Sequence, residues 1–263
     1  MNRSFIFVPA KDKMMSKIET MQADCIIIDL EDSIEAGEKE AALARVVSYL
    51  EGNTPTQQIL VRLNRERYPE EANQLSRFEK VGFMLPKFEG VRSYDACADI
   101  WRTHTTFALV ETPLGLIRLD ETASCEWIDG VAFGAEDFTC KVNMVNSSET
   151  LRYQKSSIVT YCKAYNKLAV DTPSFKISDE DAFKAEVDDA AALGFDGKML
   201  IHPKHIAYIN ERFGNADISV LKQIVQQYEE NGQAVLVIDG KVYEKMHIDR
   251  FKKIIKENGG LSS

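Results

Sequence analysis

Eight short apolar runs, rich in β-branched and aromatic residues, recur along this chain and each gives way to polar or turn-forming residues. They are FIFVP at 5–9, CIIIDL at 25–30, QILVRLN at 58–64, GFMLPK at 82–87, FALVET at 107–112, GVAFGAED at 130–137, LAVDTP at 168–173 and GKMLIHP at 197–203. Runs of this length read as strands covered on both faces. Between them, segments 37–52, 91–104, 148–167 and 178–194 return apolar residues at spacings of three and four, the period of an amphipathic helix. Ser178 with Asp181 resembles a capping box at the start of the last segment, and Gly194 reads as its stop. Strand and helix alternate eight times, which predicts an α/β fold, the (β/α)8 TIM barrel. An open doubly wound sheet is the alternative. Against it, no GxGxxG follows the first run, and polar residues mark nearly every strand end instead of one crevice.

After the eighth run the pattern changes. Helical spacing returns, then AVLVIDGKVYE reads as a hairpin turning at Asp239 and Gly240, and a second helical stretch follows. The barrel is therefore expected over 1–213, with a helix-hairpin-helix extension over 214–263 that is long enough to cover a mouth or reach a neighbour. No low-complexity tract or linker marks a further domain.

Composition narrows the class. A chain of 263 residues that is 44% hydrophobic builds a barrel core readily, and a net charge of -9 argues against nucleic-acid or anionic-membrane partners. The apolar stretch in MNRSFIFVPAKDK is too short for a signal sequence, and no run approaches transmembrane length. Cys25, Cys97, Cys125, Cys140 and Cys162 show no CxxC spacing. Reduced thiols in a cytoplasmic enzyme are the expectation.

Candidate chemistry sits where the runs end, because a barrel's loops converge at the C-terminal ends of its strands. Those ends offer Asp29, Glu31 and Asp32, then Arg62 and Asn64, Lys87, Glu111, Glu136 with Asp137, Asp171, and His202. Carboxylates from separate strands suit a hard divalent cation such as Mg²⁺, which takes one or two of them plus water and substrate oxygens. Glu111 and Asp137 read as direct ligands, with Glu31 and Asp32 holding metal-bound water from the opposite wall. The plainer alternative is that such acids cap the following helices. Arg62 either grips a substrate carboxylate or pairs with Asp29 or Glu31. Lys87 reads as an ion-pair partner that also borders the substrate, and His202 as a packing or catalytic residue alike. His104, His205 and His247 read as surface or packing residues.

RSFIFVPA, ADCIIIDLEDS, VRLN, LPK, VETPLGL, FGAEDF and ALGFDGKMLIHPKHI occur in an order that resembles the citrate lyase β-subunit-like family, with its malyl-CoA and citramalyl-CoA lyase members. The resemblance spans almost the whole chain. It implies a barrel that assembles as homotrimers or hexamers and cleaves or forms a carbon–carbon bond β to a thioester with Mg²⁺, Mn²⁺ being an alternative. The implied ligands are Glu111 and Asp137, the water-holding pair is Glu31 and Asp32, and the carboxylate grip is Arg62. Cleavage of a malyl- or citramalyl-CoA-like substrate yields a 2-oxo acid and a thioester enolate, which a carboxylic acid must protonate. In the family that acid is an aspartate on the extension of a neighbouring subunit. Here DGKVYE puts Glu244 at its position.

One departure lies in the loop after the first strand. The family's VPGxRP is replaced by Val8-Pro9-Ala10-Lys11-Asp12-Lys13. Lys11 and Lys13, with Arg3, are candidates to hold the thioester carrier, or Lys11 and Lys13 are simply solvated helix charges. Two other functions stay open: a metal-dependent pyruvate aldolase that needs no coenzyme A, and a non-catalytic barrel subunit.

Overall fold

The eight apolar runs each form a parallel strand: β1 Ser4–Pro9, β2 Cys25–Asp29, β3 Gln58–Arg62, β4 Val81–Leu85, β5 Thr106–Val110, β6 Gly130–Phe133, β7 Leu168–Asp171 and β8 Gly197–Leu200. They close in sequence order, with β8 pairing back onto β1, so the sheet is a barrel and has no free edge. The structure is a computed structural model that describes residues 2–214 and 218–257.

Strand alternation decides which side chains reach the interior. Phe5, Cys25, Ile27, Leu60, Met84, Phe107, Leu109, Ala132, Val170 and Met199 pack there as one buried cluster. Asp29 and Arg62 keep the inward parity of Ile27 and Leu60 and are register partners, so both surface together at the top of that core. Asp171 and Lys198 are also register partners, but they follow Val170 and precede Met199 and so face outward. Asp171 is thus not part of the mouth that its strand-end position suggested. It lies fully buried against the helix Arg152–Ala164, where Lys198 Nζ is 2.6 Å and Lys155 Nζ 3.1 Å from its carboxylate. Burial alone would raise the Asp171 pKa, yet the two ammonium groups hold it below the usual carboxylate range.

Arg3 requires a second correction. It precedes β1 and so occupies the barrel end remote from the mouth, where Nε and Nη2 grip Asp24 and Nη1 donates to the Asn210 carbonyl. It ties down the bottom of the barrel and cannot hold a carrier at the top.

The outer helices largely follow the pattern, including Lys39–Gly52 and Glu180–Leu193. The cap of the latter is Asp179, whose carboxylate accepts from Ala182 N, and not Ser178; Gly194 ends the helix at φ 97°. Segment 91–104 forms 3₁₀ turns over Val91–Cys97, with only Ala98–Trp101 α-helical, because Tyr94 leaves helical φ/ψ to place its ring in the core.

The chain divides into two compact units, Met1–Arg212 and Phe213–Ser263. Within the second unit, β9 Val235–Ile238 and β10 Lys241–Glu244 pair antiparallel about Asp239 (φ 48°) and Gly240 (φ 75°). This is the left-handed backbone that an Asp-Gly hairpin turn needs. Helices Ile218–Asn231 and Lys245–Glu257 bury Ile224, Val225, Ile248 and Ile255 between them, with Leu236 and Tyr243 of the hairpin against the cluster.

Closure leaves no room for a side chain at Gly82, where a Cβ would sit 2.5 Å from the Thr105 carbonyl oxygen that bonds Phe83 N. Gly82→Ala is expected to cost about 1–3 kcal/mol through overpacking, read as a lowered urea midpoint with an unchanged far-UV circular dichroism spectrum.

Candidate active site

The polar ends of β2, β3, β5 and β6 border a cavity of about 400 Å³ above the core, with Phe7, Leu109, Met199 and Ile201 as its apolar lining and Asp29, Asp32, Arg62, Glu111, Glu136 and Asp137 among its polar residues. Each acid has a distinct local reason for its position.

Asp29 organises the loop that follows it. Its carboxylate accepts from the backbone N–H of Glu31 (2.9 Å) and Ser33 (3.0 Å), an Asx-type turn that folds the LEDS segment over the barrel. The same carboxylate receives Arg62 Nε at 2.7 Å and Nη2 at 2.8 Å, a two-pronged ion pair. Burial opposes ionisation of Asp29, but this guanidinium holds its pKa low. Lys39, the first residue of its helix, donates Nζ to the carbonyls of Leu30 and Glu31 and pins the loop from behind. With Asp29 doing the capping, Glu31 and Asp32 are free to face the mouth.

Of the two readings left open for it, Arg62 shows the ion pairing. Nε and Nη2 belong to Asp29, while Nη1 lies 2.9 Å from Asp32 and 3.5 Å from Glu31. Asp32 is half-exposed, and its contact is the exchangeable one. The Phe7 ring lies under the guanidinium, 4.9 Å from Arg62 Cζ to the ring centroid.

Lys87 joins the two walls. Its φ of 47° lies in the left-handed region, which turns its N–H onto Glu111 Oε1 at 2.7 Å while its Nζ reaches Glu31 Oε1 at 2.9 Å. It does not line the cavity itself. The other oxygen of Glu31, Oε2, is buried without a hydrogen-bond partner.

Glu111 continues the inward parity of β5 and is only 3% exposed. Thr112, and not Glu111, caps the helix Pro113–Ile117, its Oγ1 accepting from Gly115 N at 3.1 Å. The capping alternative thus fails for this acid. Gly134 makes room for Glu111: a Cβ there would sit 2.6 Å from Glu111 Cβ and 2.7 Å from Oε2. Burial, then the nearby Glu31 carboxylate, pushes the Glu111 carboxyl up to about 8, with Asp137 adding to the rise against the pull of Arg62.

Glu136 and Asp137 occupy the first turn of the helix Ala135–Val142, where the helix dipole favours acids, so the plainer reading holds in part. They separate in use. Both line the cavity, but Glu136 is engaged in accepting from Asn146 Nδ2 at 2.7 Å, whereas Asp137 stands close enough to Glu111 to act on its charge.

The remaining candidates fall elsewhere. Lys11 and Lys13 are exposed beside the short helix Asp12–Met15 and line a separate cleft with Glu35, Glu38 and Arg45. His202 is exposed, its Nδ1 accepting from Lys204 N, and His205 stacks on Phe183 as a packing residue. Glu244 ends β10 in the second unit, exposed, its N–H donating to His247 Nδ1. Sequence reading missed Lys155 and Lys198, although a lysine inside the apolar run GKML was the available signal.

Among the described residues, no three His, Cys, Asp or Glu side chains converge to cage a metal. Two carboxylates facing a cavity, one of them retaining its proton up to about 8, suit a divalent cation that completes its shell with water and substrate. Glu31 Oε2, which accepts no hydrogen bond and meets Arg62 Nη1 only at 3.5 Å, is a ready acceptor for a water of that shell. The donor set fits such an ion.

Because Glu111 binds its proton more tightly folded than unfolded, its contribution to stability is full below about 4.5 and is lost as pH rises through about 8. In EDTA, wild type should therefore lose stability relative to Glu111→Gln between pH 5 and pH 8.5, by about 3 kcal/mol. Urea midpoints measured across that range check this, and a constant difference between the two proteins would refute it.

Comparison with known proteins identifies the family. The pattern of the HpcH/HpaI aldolase/citrate lyase family matches residues 3–203. The mitochondrial citramalyl-CoA lyase of Homo sapiens is 30% identical over 262 residues, covering 88% of this chain and 77% of that protein. A (3S)-malyl-CoA thioesterase of Cereibacter sphaeroides is 29% identical, covering 94% and 90%. Among solved structures, the citrate lyase beta subunit from M. tuberculosis complexed with oxaloacetate and magnesium matches with a TM-score of 0.69 at 26% identity, covering 81% of this chain and 97% of that one. With the barrel, the acidic mouth and a family match over most of its length, the chain belongs to the HpcH/HpaI aldolase/citrate lyase family of carbon–carbon lyases.

Proposed function

We propose that this protein is an Mg²⁺-dependent lyase that cleaves, or in reverse forms, a β-hydroxyacyl thioester of the citramalyl-CoA or malyl-CoA type, giving a 2-oxo acid and acetyl-CoA. The observation that carries the reading is the Glu111 carboxyl, buried at the cavity wall and raised to about 8 by burial and by the carboxylates around it. Such a group is stabilised as an anion only when a cation comes to it. Glu111 and Asp137 would hold the Mg²⁺ that the M. tuberculosis relative contains, and Glu31 and Asp32 would hold its water. When bound, that ion supplies Lewis acidity to substrate oxygens.

The chain's own residues account for the rest. Among the described residues that line the cavity, Arg62 is the one cation, so it pairs one free carboxylate of the substrate, with Asp32 giving up Nη1 to it. Asp29 keeps the guanidinium aimed throughout. The apolar lining of Phe7, Leu109, Met199 and Ile201 suits a small uncharged substituent on the hydroxyl-bearing carbon better than a second carboxylate. Cleavage breaks the bond between that carbon and the thioester α-carbon, and its net effect moves the hydroxyl proton to the α-carbon. Glu244, brought by a neighbouring subunit of a homotrimer or hexamer, is the group that returns that proton. Lys11 and Lys13 sit on the loop assigned to the thioester carrier. Five free cysteines accord with a cytoplasmic setting. No helix among the described residues is long and apolar enough to cross a membrane.

The direct test is proton NMR in D₂O with enzyme, Mg²⁺, acetyl-CoA and pyruvate. The acetyl-CoA methyl signal should fade by deuterium exchange and should persist in EDTA. Loss of the pyruvate methyl alone would make the protein an aldolase, and no exchange in either would favour another carrier or a non-catalytic subunit.

Two substitutions divide the roles. Glu111→Gln should abolish Mg²⁺-dependent turnover with the fold intact. Glu244→Gln should slow acetyl-CoA exchange by about 100-fold or more, the usual worth of a positioned acid/base, while calorimetry finds Mg²⁺ affinity unchanged; full exchange in this variant would assign the proton to another group.

A further inference from the structure

Behind the cavity, on the outward side of β7 and β8, lies a cluster that the proposed chemistry does not use: Lys155, Asp171 and Lys198, exposed by 2%, 0% and 1%. Two lysines around one carboxylate make a poor stability device. Buried ion pairs roughly break even against apolar replacements, and the unmatched second ammonium adds a desolvation cost. The Lys198 pKa is lowered by burial first, with Lys155 pushing the same way against the pull of Asp171.

What the cluster does hold is the chain at the point where β7 ends. Lys198 Nζ donates to the carbonyl oxygen of Thr172 at 2.7 Å as well as to Asp171. Thr172, one residue on, turns to the opposite side and lines the cavity. There its Oγ1 accepts from Ala135 N at 3.2 Å. Ala135 opens the helix Ala135–Val142, whose preceding residue is Gly134, with no side chain to cap it. The first N–H groups of a helix have no partner within it. Thr172 therefore acts as a cap delivered from another strand. Asp137 follows two residues later on that helix, and Gly134 packs directly against Glu111.

We propose that Thr172, fixed from behind by the buried Lys155, Asp171 and Lys198 cluster, is a positioning residue that sets where Asp137 and Glu111 stand relative to one another. The inference rests on the reading of those two acids as the Mg²⁺ ligands. Outer partners that orient metal ligands change affinity by about 10–100-fold when removed. Thr172→Val keeps the shape of the side chain and removes the acceptor, and Thr172→Ser restores the acceptor with less bulk.

The test is isothermal titration of the full-length protein with Mg²⁺ alone, with urea midpoints measured in EDTA for each variant. The expected result is an Mg²⁺ affinity about tenfold weaker for Thr172→Val, near wild type for Thr172→Ser, with a Thr172→Val midpoint lowered only by the modest amount that loss of one helix cap brings and a Thr172→Ser midpoint close to wild type. Wild-type affinity in Thr172→Val overturns the proposal. So does an equal loss in Thr172→Ser, which would make the position one of packing alone. Should Thr172→Val fail to fold, Thr172→Ala carries the same expectation and the same refutation. Absence of Mg²⁺ binding in wild type would instead remove the metal reading itself, and this inference with it.

Discussion

The two-pronged contact between Arg62 and Asp29 is the constraint from which the rest of the mouth follows. Both side chains emerge at the top of the barrel core through register pairing of β2 with β3. Neither would tolerate burial alone, since removing one partner of such a pair costs about 3–5 kcal/mol. Asp29 then uses its remaining lone pairs to fold the LEDS loop, and that loop delivers Glu31 to Lys87 and Asp32 to the last free edge of the guanidinium. Lys87 in turn donates its N–H to Glu111. One ion pair thus sets, through consecutive hydrogen bonds, the positions of acids at the ends of two strands, β2 and β5.

Parity along the strands separates two electrostatic environments that lie only a few ångströms of backbone apart. Inward-facing positions gather more carboxylates than cations, which leaves Glu111 with a tightly held proton. On the outward side of β7 and β8, Lys198 of β8 and Lys155 of the helix packed against it put two ammonium groups around one carboxylate, which holds the Asp171 pKa low. A cavity-lining acid and a structural one are told apart by a single step of the pleat.

That step explains what the sequence could and could not reveal. The strands were legible because β-branched apolar runs bounded by turn residues have few other uses, and Glu111, Asp137, Glu31, Asp32 and Arg62 do converge on one cavity or its wall. Asp171 looked equivalent to them because it also ends an apolar run; its outward direction depends on register, which a run without alternation does not display. Arg3 sits beside a strand but at its wrong end, and Lys155 belongs to a helix whose buried face shows only in three dimensions. Ser178 and Asp179 are adjacent capping residues, and the choice between them turns on which oxygen reaches Ala182 N. The turn at Asp239-Gly240 was readable from two residues.

Position 87 combines two demands that no single side chain meets without cost. The left-handed backbone there suits glycine, and a lysine in that conformation carries strain of about 1–3 kcal/mol. The ammonium that clamps Glu31 needs a long cationic side chain, which glycine lacks. Selection for stability alone would therefore drift toward glycine at this site and release the loop over the mouth. The strained lysine marks a place where this barrel gives up rigidity of the chain to keep rigidity of the charges.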